Sequence, residues 1–121
     1  MKSHILLIDD EEDIRFLLAR FLESTGFRVT AVALATEALA TVQSDPPQLI
    51  ISDLQLEDED GLEMIAQLKT TLPNVPVILL TGVLFDPQVV RENLSKKVSC
   101  YLEKTSSLAK IKETVTRLLE A

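Results

Sequence analysis

The feature that most constrains the fold is an alternation between short apolar runs and helical stripes of apolar residues. Residues 5–8, 49–51 and 77–80 are wholly apolar, which is typical of strands buried on both faces of a parallel sheet. Residues 14–22 instead repeat apolar side chains at the three- and four-residue spacing of an amphipathic helix. Strands and helices that alternate with short connections predict parallel strands joined by right-handed crossovers.

Five strand–helix units follow from this alternation. Gly26 ends the first helix, and Pro46 and Pro47 separate the second helix from the third strand. The predicted strands are residues 5–8, 27–32, 49–51, 77–80 and 99–102. The first predicted helix starts at residue 13, and the other four span residues 36–43, 61–72, 86–94 and 107–120.

The order of the strands follows from how uniformly apolar each one is. Residues 27–32 and 99–102 mix apolar and polar side chains, so they belong at the two edges of the sheet. This arrangement favours the strand order 2-1-3-4-5, a flavodoxin-like α/β fold in which a doubly wound sheet carries helices on both faces.

Size and charge narrow the class of protein. With 121 residues and 46% hydrophobic content, the chain is expected to form one domain, residues 1–121, around one ordinary core. Because the net charge is −7, direct binding of nucleic acid is not expected. The single cysteine, Cys100, excludes an internal disulfide, and the first apolar run is too short for a signal peptide or a membrane span. We therefore expect a cytoplasmic protein without a membrane partner.

Polar residues stand at the carboxyl end of four predicted strands. Asp9 and Asp10 follow the first strand, Asp53 follows the third, Thr81 follows the fourth, and Lys104 comes two residues after the fifth. Ligands of open parallel sheets bind outside these strand ends, near the point where the strand order reverses. The five side chains are thus expected to converge on one rim.

The chemistry of this rim indicates a divalent cation and a phosphoryl group. Three carboxylates at close range repel one another and attract a cation, and oxygen ligands without histidine or thiolate suit Mg²⁺, with Mn²⁺ as a substitute. Nucleotide binding is not expected, because the chain has no glycine-rich phosphate loop. His4 stands at the other end of the first strand, so the nucleophile, if there is one, must be a carboxylate, and Asp53 is the natural candidate for forming an acyl phosphate.

Four segments together resemble a known family. LLIDDEED, IISDLQL with Gly61 eight residues after Asp53, LLTG and YLEK occur in the order and approximate spacing of the receiver domains of bacterial two-component response regulators. The resemblance covers the whole chain. It implies that Asp53 accepts a phosphoryl group from a histidine kinase or phosphotransfer protein, in a Mg²⁺-dependent reaction.

The resemblance also assigns roles to the other site residues. It implies that Asp9, Asp10 and the backbone carbonyl of Gln55 hold Mg²⁺ beside Asp53, while Thr81 and Lys104 contact the phosphoryl oxygens. Tyr101 occupies the place of the family's switch aromatic, whose rotation is coupled to movement of the threonine hydroxyl.

A protein of this family is not a dedicated enzyme, although it assists its own phosphorylation and dephosphorylation. Its downstream protein target is expected to bind the face formed by the helix predicted over residues 86–94, the fifth strand and the last helix.

The sequence departs from the family pattern in several positions. Thr105 follows Lys104 where a proline, often after a cis peptide bond, is usual, and a cis bond before Thr105 would be costly. Glu57 stands where a proline is common. Gln55 and Val83 match positions that influence the lifetime of the phosphoryl group in the family.

Two other functions stay open at this point. A degenerate receiver would act as a constitutive protein-binding adaptor without phosphorylation. A phosphatase of the haloacid dehalogenase type also uses an aspartate nucleophile, but it requires a second acid two residues later, where this chain has Gln55. The chain is either a stand-alone regulator or a segment of a longer protein.

Overall fold

A five-stranded parallel sheet organises the chain. The computed structural model describes residues 2–53, 55–56, 59–81, 100–103 and 107–120. Five strands form the main sheet in the order β2-β1-β3-β6-β7, and β4 and β5 form a separate antiparallel pair. In chain order the strands are β1 (His4–Ile8), β2 (Arg28–Val32), β3 (Leu49–Asp53), β4 (Gln55–Leu56), β5 (Glu59–Asp60), β6 (Val77–Thr81) and β7 (Cys100–Glu103).

The observed sheet confirms the predicted order 2-1-3-4-5, counting its five strands along the chain. All four pairings within it are parallel. The small β4–β5 hairpin was not predicted.

Four of the predicted helices lie within the described residues. They are α1 (Glu12–Ser24), α2 (Ala35–Ser44), α3 (Gly61–Thr71) and α4 (Leu108–Glu120). The helix predicted over residues 86–94 lies outside the residues that the structure describes.

Helices cover both faces of the sheet, which confirms the doubly wound architecture. Successive strand residues point to opposite faces, so each central strand contributes to two hydrophobic clusters. Helices α2 and α3 pack on one face, in a cluster that includes Leu6, Ile8, Ala38, Val42, Ile50, Ile65, Leu68 and Leu79. Helices α1 and α4 pack on the other, in a cluster that includes Ile5, Leu7, Leu18, Leu22, Ile51, Ile78, Leu80, Ile111 and Val115.

The contrast between central and edge strands explains the order. Every residue of β1 and β3 is buried, as their apolar runs predicted. In β2 only Val32 is buried, because this strand has a neighbour on one side alone. An edge strand therefore tolerates a mixture of apolar and polar side chains.

Helix α1 ends as predicted but exposes more apolar surface than its stripe indicated. Gly26 has a φ of 105°, and its N–H donates to the Glu23 carbonyl at 3.1 Å, so a residue that tolerates the left-handed region ends the helix. Leu17 belongs to the predicted apolar stripe, yet its side chain is 54% exposed. The contact with the sheet centres on Leu18 and Leu22, which leaves Leu17 on the flank.

No helix among the described residues combines the length and apolar character needed to cross a bilayer.

Candidate functional site

The structure brings three of the predicted site residues together at the carboxyl end of the sheet. Ile8 and Ser52 are register partners in the β1–β3 pair, so the next residues, Asp9 and Asp53, reach the same edge. One carboxylate oxygen from each of four residues lies within 4.8 Å of the others, in a cluster of Asp9, Asp10, Glu11 and Asp53.

Burial makes this cluster unusual. Asp9 is fully buried, Asp53 is 4% exposed, and Asp10 is partly buried, whereas Glu11 is exposed. Two unit charges 4.8 Å apart repel by about 3 kcal/mol at an effective dielectric constant of about 20. A divalent cation bound among them would offset this repulsion, and carboxylate oxygens are the donors that Mg²⁺ prefers. The residues present therefore fit the predicted cation.

Hydrogen bonds hold the turn that carries Asp9. Its N–H donates to the Val32 carbonyl at 3.1 Å, which continues the hydrogen bonding between β1 and β2 by one residue. Its Oδ1 accepts from the Glu11 N–H at 2.8 Å, and its main-chain carbonyl accepts from Nη1 of Arg15 at 2.8 Å. The orientation of Asp9 thus depends on the first turns of α1.

The main chain at the ends of β3 and β6 is also fixed. Ser52 is fully buried, and its hydroxyl donates to the Asp53 carbonyl at 3.0 Å. Asp53 is the register partner of Leu80, so Thr81 ends β6 one residue further along the same edge.

The other predicted site residues are placed by their main chain or lie outside the described residues. Gln55 begins β4, two residues after Asp53, and Tyr101 lies in the edge strand β7 as the register partner of Leu79. Lys104 falls outside the described residues, as do Glu57, Val83 and the peptide bond before Thr105. Their roles stay predictions.

Sequence reasoning missed three participants, namely Glu11, Ser52 and Arg15. The sequence pattern marks neither Glu11, in the acidic run before the first helix, nor Ser52, beside Asp53, as a site residue. A signal for Arg15 does exist in the sequence. A cation is unfavourable near a helix N-terminus because of the helix dipole, so an arginine two residues after the five acids of residues 9–13 indicates a local partner.

His4 lies at the opposite end of β1, as predicted, and takes no part in the acidic cluster. Its side chain is 1% exposed, and Nε2 lies 2.7 Å from the Thr30 hydroxyl. Its contacts are structural.

Comparison with known proteins agrees with this geometry. The family model described as the response regulator receiver domain matches residues 5–116. The chain belongs to this family. It is a receiver of the kind found in two-component systems, and this family consists of signalling domains rather than dedicated enzymes. Membership disfavours the haloacid dehalogenase alternative.

Individual relatives show how far the similarity extends. The chain is 35% identical to the response regulator protein VraR of Staphylococcus aureus over 120 residues, which cover 97% of this chain and 56% of VraR. It is 40% identical over 78 residues to the C4-dicarboxylate transport transcriptional regulatory protein DctD of Rhizobium meliloti, covering 64% of this chain and 17% of DctD. The chain therefore spans about half of VraR and less than a fifth of DctD.

A solved structure shows the same fold. The receiver domain of NtrX from Brucella abortus superposes with a TM-score of 0.89 at 28% identity, covering 97% of this chain and 98% of that one.

Proposed function

We propose that Asp53 accepts a phosphoryl group from a phosphohistidine of a histidine kinase or phosphotransfer protein, in a reaction that requires Mg²⁺. The observation that carries the proposal is the position of Asp53. It ends a central strand, is almost fully buried, and lies in one cluster with Asp9 and Asp10. The receiver family to which the chain belongs supports the same reaction.

The chemistry assigned to Asp53 is a phosphoryl transfer. A carboxylate oxygen of Asp53 attacks phosphorus, the phosphorus–nitrogen bond to the donor imidazole breaks, and the leaving nitrogen takes up a proton. An acyl phosphate results. Asp53 needs no general base, because its carboxylate is already the nucleophile.

The residues proposed to hold Mg²⁺ are Asp9, Asp10, Asp53 and the backbone carbonyl of Gln55. Bound there, Mg²⁺ supplies positive charge that offsets the charge of the phosphoryl oxygens. Thr81 and Lys104 are proposed to contact these oxygens through a hydroxyl and an ammonium group. For Thr81, support comes from its place at the end of β6, beside the end of β3.

Phosphorylation is proposed to shift a two-state equilibrium that changes affinity for a protein target. Thr81 and Tyr101 are the proposed switch residues, and they lie on neighbouring strands, since Thr81 pairs with Glu103 and Tyr101 with Leu79. A change at the end of β6 therefore has a direct route to the edge strand β7. The proposed target surface comprises residues 86–94, β7 and α4.

Residues 1–121 are proposed to act as one receiver module, either alone or within a longer protein. The relatives support the second arrangement, because NtrX, VraR and DctD are all longer than the region that this chain matches, which is 27% of NtrX. The module is proposed to assist its own phosphorylation and dephosphorylation.

Intact mass spectrometry tests the proposal. The protein is incubated with phosphoramidate or acetyl phosphate and Mg²⁺, beside an EDTA control, Asp53→Asn and Asp13→Asn. Asp13 is an exposed acid in the first turn of α1, so Asp13→Asn matches the charge change without touching the cluster. We expect one hydroxylamine-labile phosphoryl adduct with wild type and Asp13→Asn, and none with EDTA or Asp53→Asn.

Other outcomes point elsewhere. An adduct that persists in Asp53→Asn would contradict the assigned phosphoacceptor. No adduct from either small donor or from a phosphohistidine protein, together with Mg²⁺ binding, would favour the constitutive adaptor.

A further inference from the structure

Arg15 links α1 to the loop that carries the acidic cluster. Its Nη1 donates to the Asp9 carbonyl at 2.8 Å, and its own main-chain N–H donates to the Glu11 carbonyl at 2.9 Å. Within the same turn, the Glu11 N–H donates to Asp9 Oδ1 at 2.8 Å. One residue of the helix therefore contacts both ends of the segment from Asp9 to Glu11.

The dipole of α1 does not favour a cation this close to its N-terminus. The first turn of α1 carries Glu12 and Asp13, as the dipole prefers, and Arg15 follows close behind with a partly buried side chain. The hydrogen bond to Asp9 stabilises the Arg15 side chain at this position, because a hydrogen bond from a charged donor is stronger than one from a neutral donor. Its bond is to the main-chain carbonyl of a proposed ligand residue.

We propose that Arg15 is a positioning residue for the cation site, holding the Asp9–Glu11 turn so that the Asp9 and Asp10 carboxylates face a divalent ion together. This inference rests on the proposed function, which places Mg²⁺ among these acids. Residues that orient metal ligands from outside the coordination shell commonly contribute tenfold to hundredfold to metal affinity.

The proposal predicts the sign of an effect that simple electrostatics would reverse. A guanidinium near the cluster repels a cation, so removing its charge alone would tighten cation binding. Loss of positioning would weaken it. Charge repulsion and positioning by Arg15 therefore predict opposite changes in cation affinity when the residue is replaced.

The experiment measures Mn²⁺ affinity by the EPR signal of the free ion, with wild type, Arg15→Met, Arg15→Lys and Arg20→Met. Methionine keeps the apolar stem of Arg15 without a donor, while lysine keeps a charged donor. Arg20 is the matched control, because it lies on the same helix with its guanidinium carbon 5.4 Å from the centroid of the Phe16 ring. We expect binding about tenfold weaker for Arg15→Met, recovery to within about threefold for Arg15→Lys, and no change for Arg20→Met.

Unchanged or tighter Mn²⁺ binding by Arg15→Met would overturn the proposal, and so would an equal loss in Arg20→Met. Urea unfolding checks that each variant is folded. If Arg15→Met does not fold, Arg15→Gln takes its place with the same expected loss, since its shorter amide withdraws from the Asp9 carbonyl. If wild type itself binds no Mn²⁺, the proposed cation site fails and the positioning role falls with it. If wild type binds Mn²⁺ and the Arg15 variants bind it equally well, the positioning role alone fails.

Discussion

The two ends of the parallel sheet carry opposite arrangements of charge: a pair of unlike charges at one end and a cluster of like charges at the other. At the amino end, Arg28 forms a two-pronged ion pair with Asp45, and buried His4 lies in hydrogen-bonding distance of the Thr30 hydroxyl. At the carboxyl end, the carboxylates of Asp9 and Asp53 are buried close together in a cluster of like charges. Both ends belong to the same sheet, and the difference in charge comes from the residues placed at each end.

This difference separates stability from function. Opposite charges paired at the amino end attract each other, and this exposed pair adds a little to the stability of the fold. Like charges at the carboxyl end lower stability and attract a cation instead, as is common where a protein stores electrostatic strain for binding. The contrast predicts that substitutions at the two ends have opposite consequences.

Asp9→Asn is expected to give the largest effect. Asparagine can still accept the Glu11 N–H, but it removes one negative charge from the cluster, so Mn²⁺ affinity should fall by at least about a hundredfold. In metal-free buffer the same variant should be more stable than wild type by about 1–3 kcal/mol, because a buried repulsion is relieved. Metal titration and urea unfolding in EDTA measure the two effects, and lower stability in EDTA would contradict the account.

Mg²⁺ itself should stabilise the wild-type fold. At a concentration about 100 times the dissociation constant, binding to the folded state alone adds about 2.7 kcal/mol to the free energy of unfolding. Removal of the metal with EDTA should abolish this increment, and Asp9→Asn, with affinity at least about a hundredfold weaker, should keep at most about 0.4 kcal/mol of it at the same concentration. Urea unfolding with and without Mg²⁺ provides the measurement; an equal gain in both proteins would place the bound ion elsewhere.

His4→Ala tests the other end of the sheet. The substitution removes a buried ring and leaves the Thr30 hydroxyl without this hydrogen bond, so it should lower the free energy of unfolding by about 1–3 kcal/mol. Because His4 is remote from the acidic cluster, phosphorylation by a small donor and Mn²⁺ affinity should match wild type. Altered metal affinity in folded His4→Ala would show that the two ends are coupled.

Asp45→Asn should produce the smallest effect, confined to acid pH. The hydrogen bond from Arg28 lowers the pKa of Asp45 below its ordinary value of 3.8. A carboxylate whose pKa is lower in the folded state contributes stability above its unfolded pKa, and that contribution is lost as the pH falls through the folded value. Acid titration of urea midpoints should therefore show a shallower decline below pH 3.8 for Asp45→Asn than for wild type. Identical curves would mean that this exposed pair is screened by solvent.

Much of the fold could be predicted because burial in a parallel sheet leaves a simple pattern. The wholly apolar runs became β1, β3 and β6. The strand around Arg28, which mixes apolar and polar residues, became an edge strand with a neighbour on one side only. The β4–β5 hairpin escaped prediction because its acidic sequence has no alternation of apolar and polar residues. The exposure of Leu17 could not be predicted, because the spacing of apolar residues defines a stripe on a helix but not which part of the stripe contacts the sheet. That part depends on how the helix packs on the sheet.

The candidate site shows the same limit. Asp9, Asp10 and Asp53 could be brought together from sequence alone, because carboxyl ends of parallel strands meet at one edge. The contact of Arg15 with the Asp9 carbonyl depends on the path of a short turn, which no periodicity reports.

Chemical mapping of the phosphoryl group tests the central claim most directly. Protein treated with phosphoramidate and Mg²⁺ is reduced with borohydride, which converts an aspartyl phosphate to homoserine, and its peptides are sequenced by tandem mass spectrometry. The account predicts homoserine at position 53 alone, in an amount that depends on Mg²⁺. Homoserine at position 9 or 10, or a phosphoryl adduct that borohydride does not reduce, would contradict it.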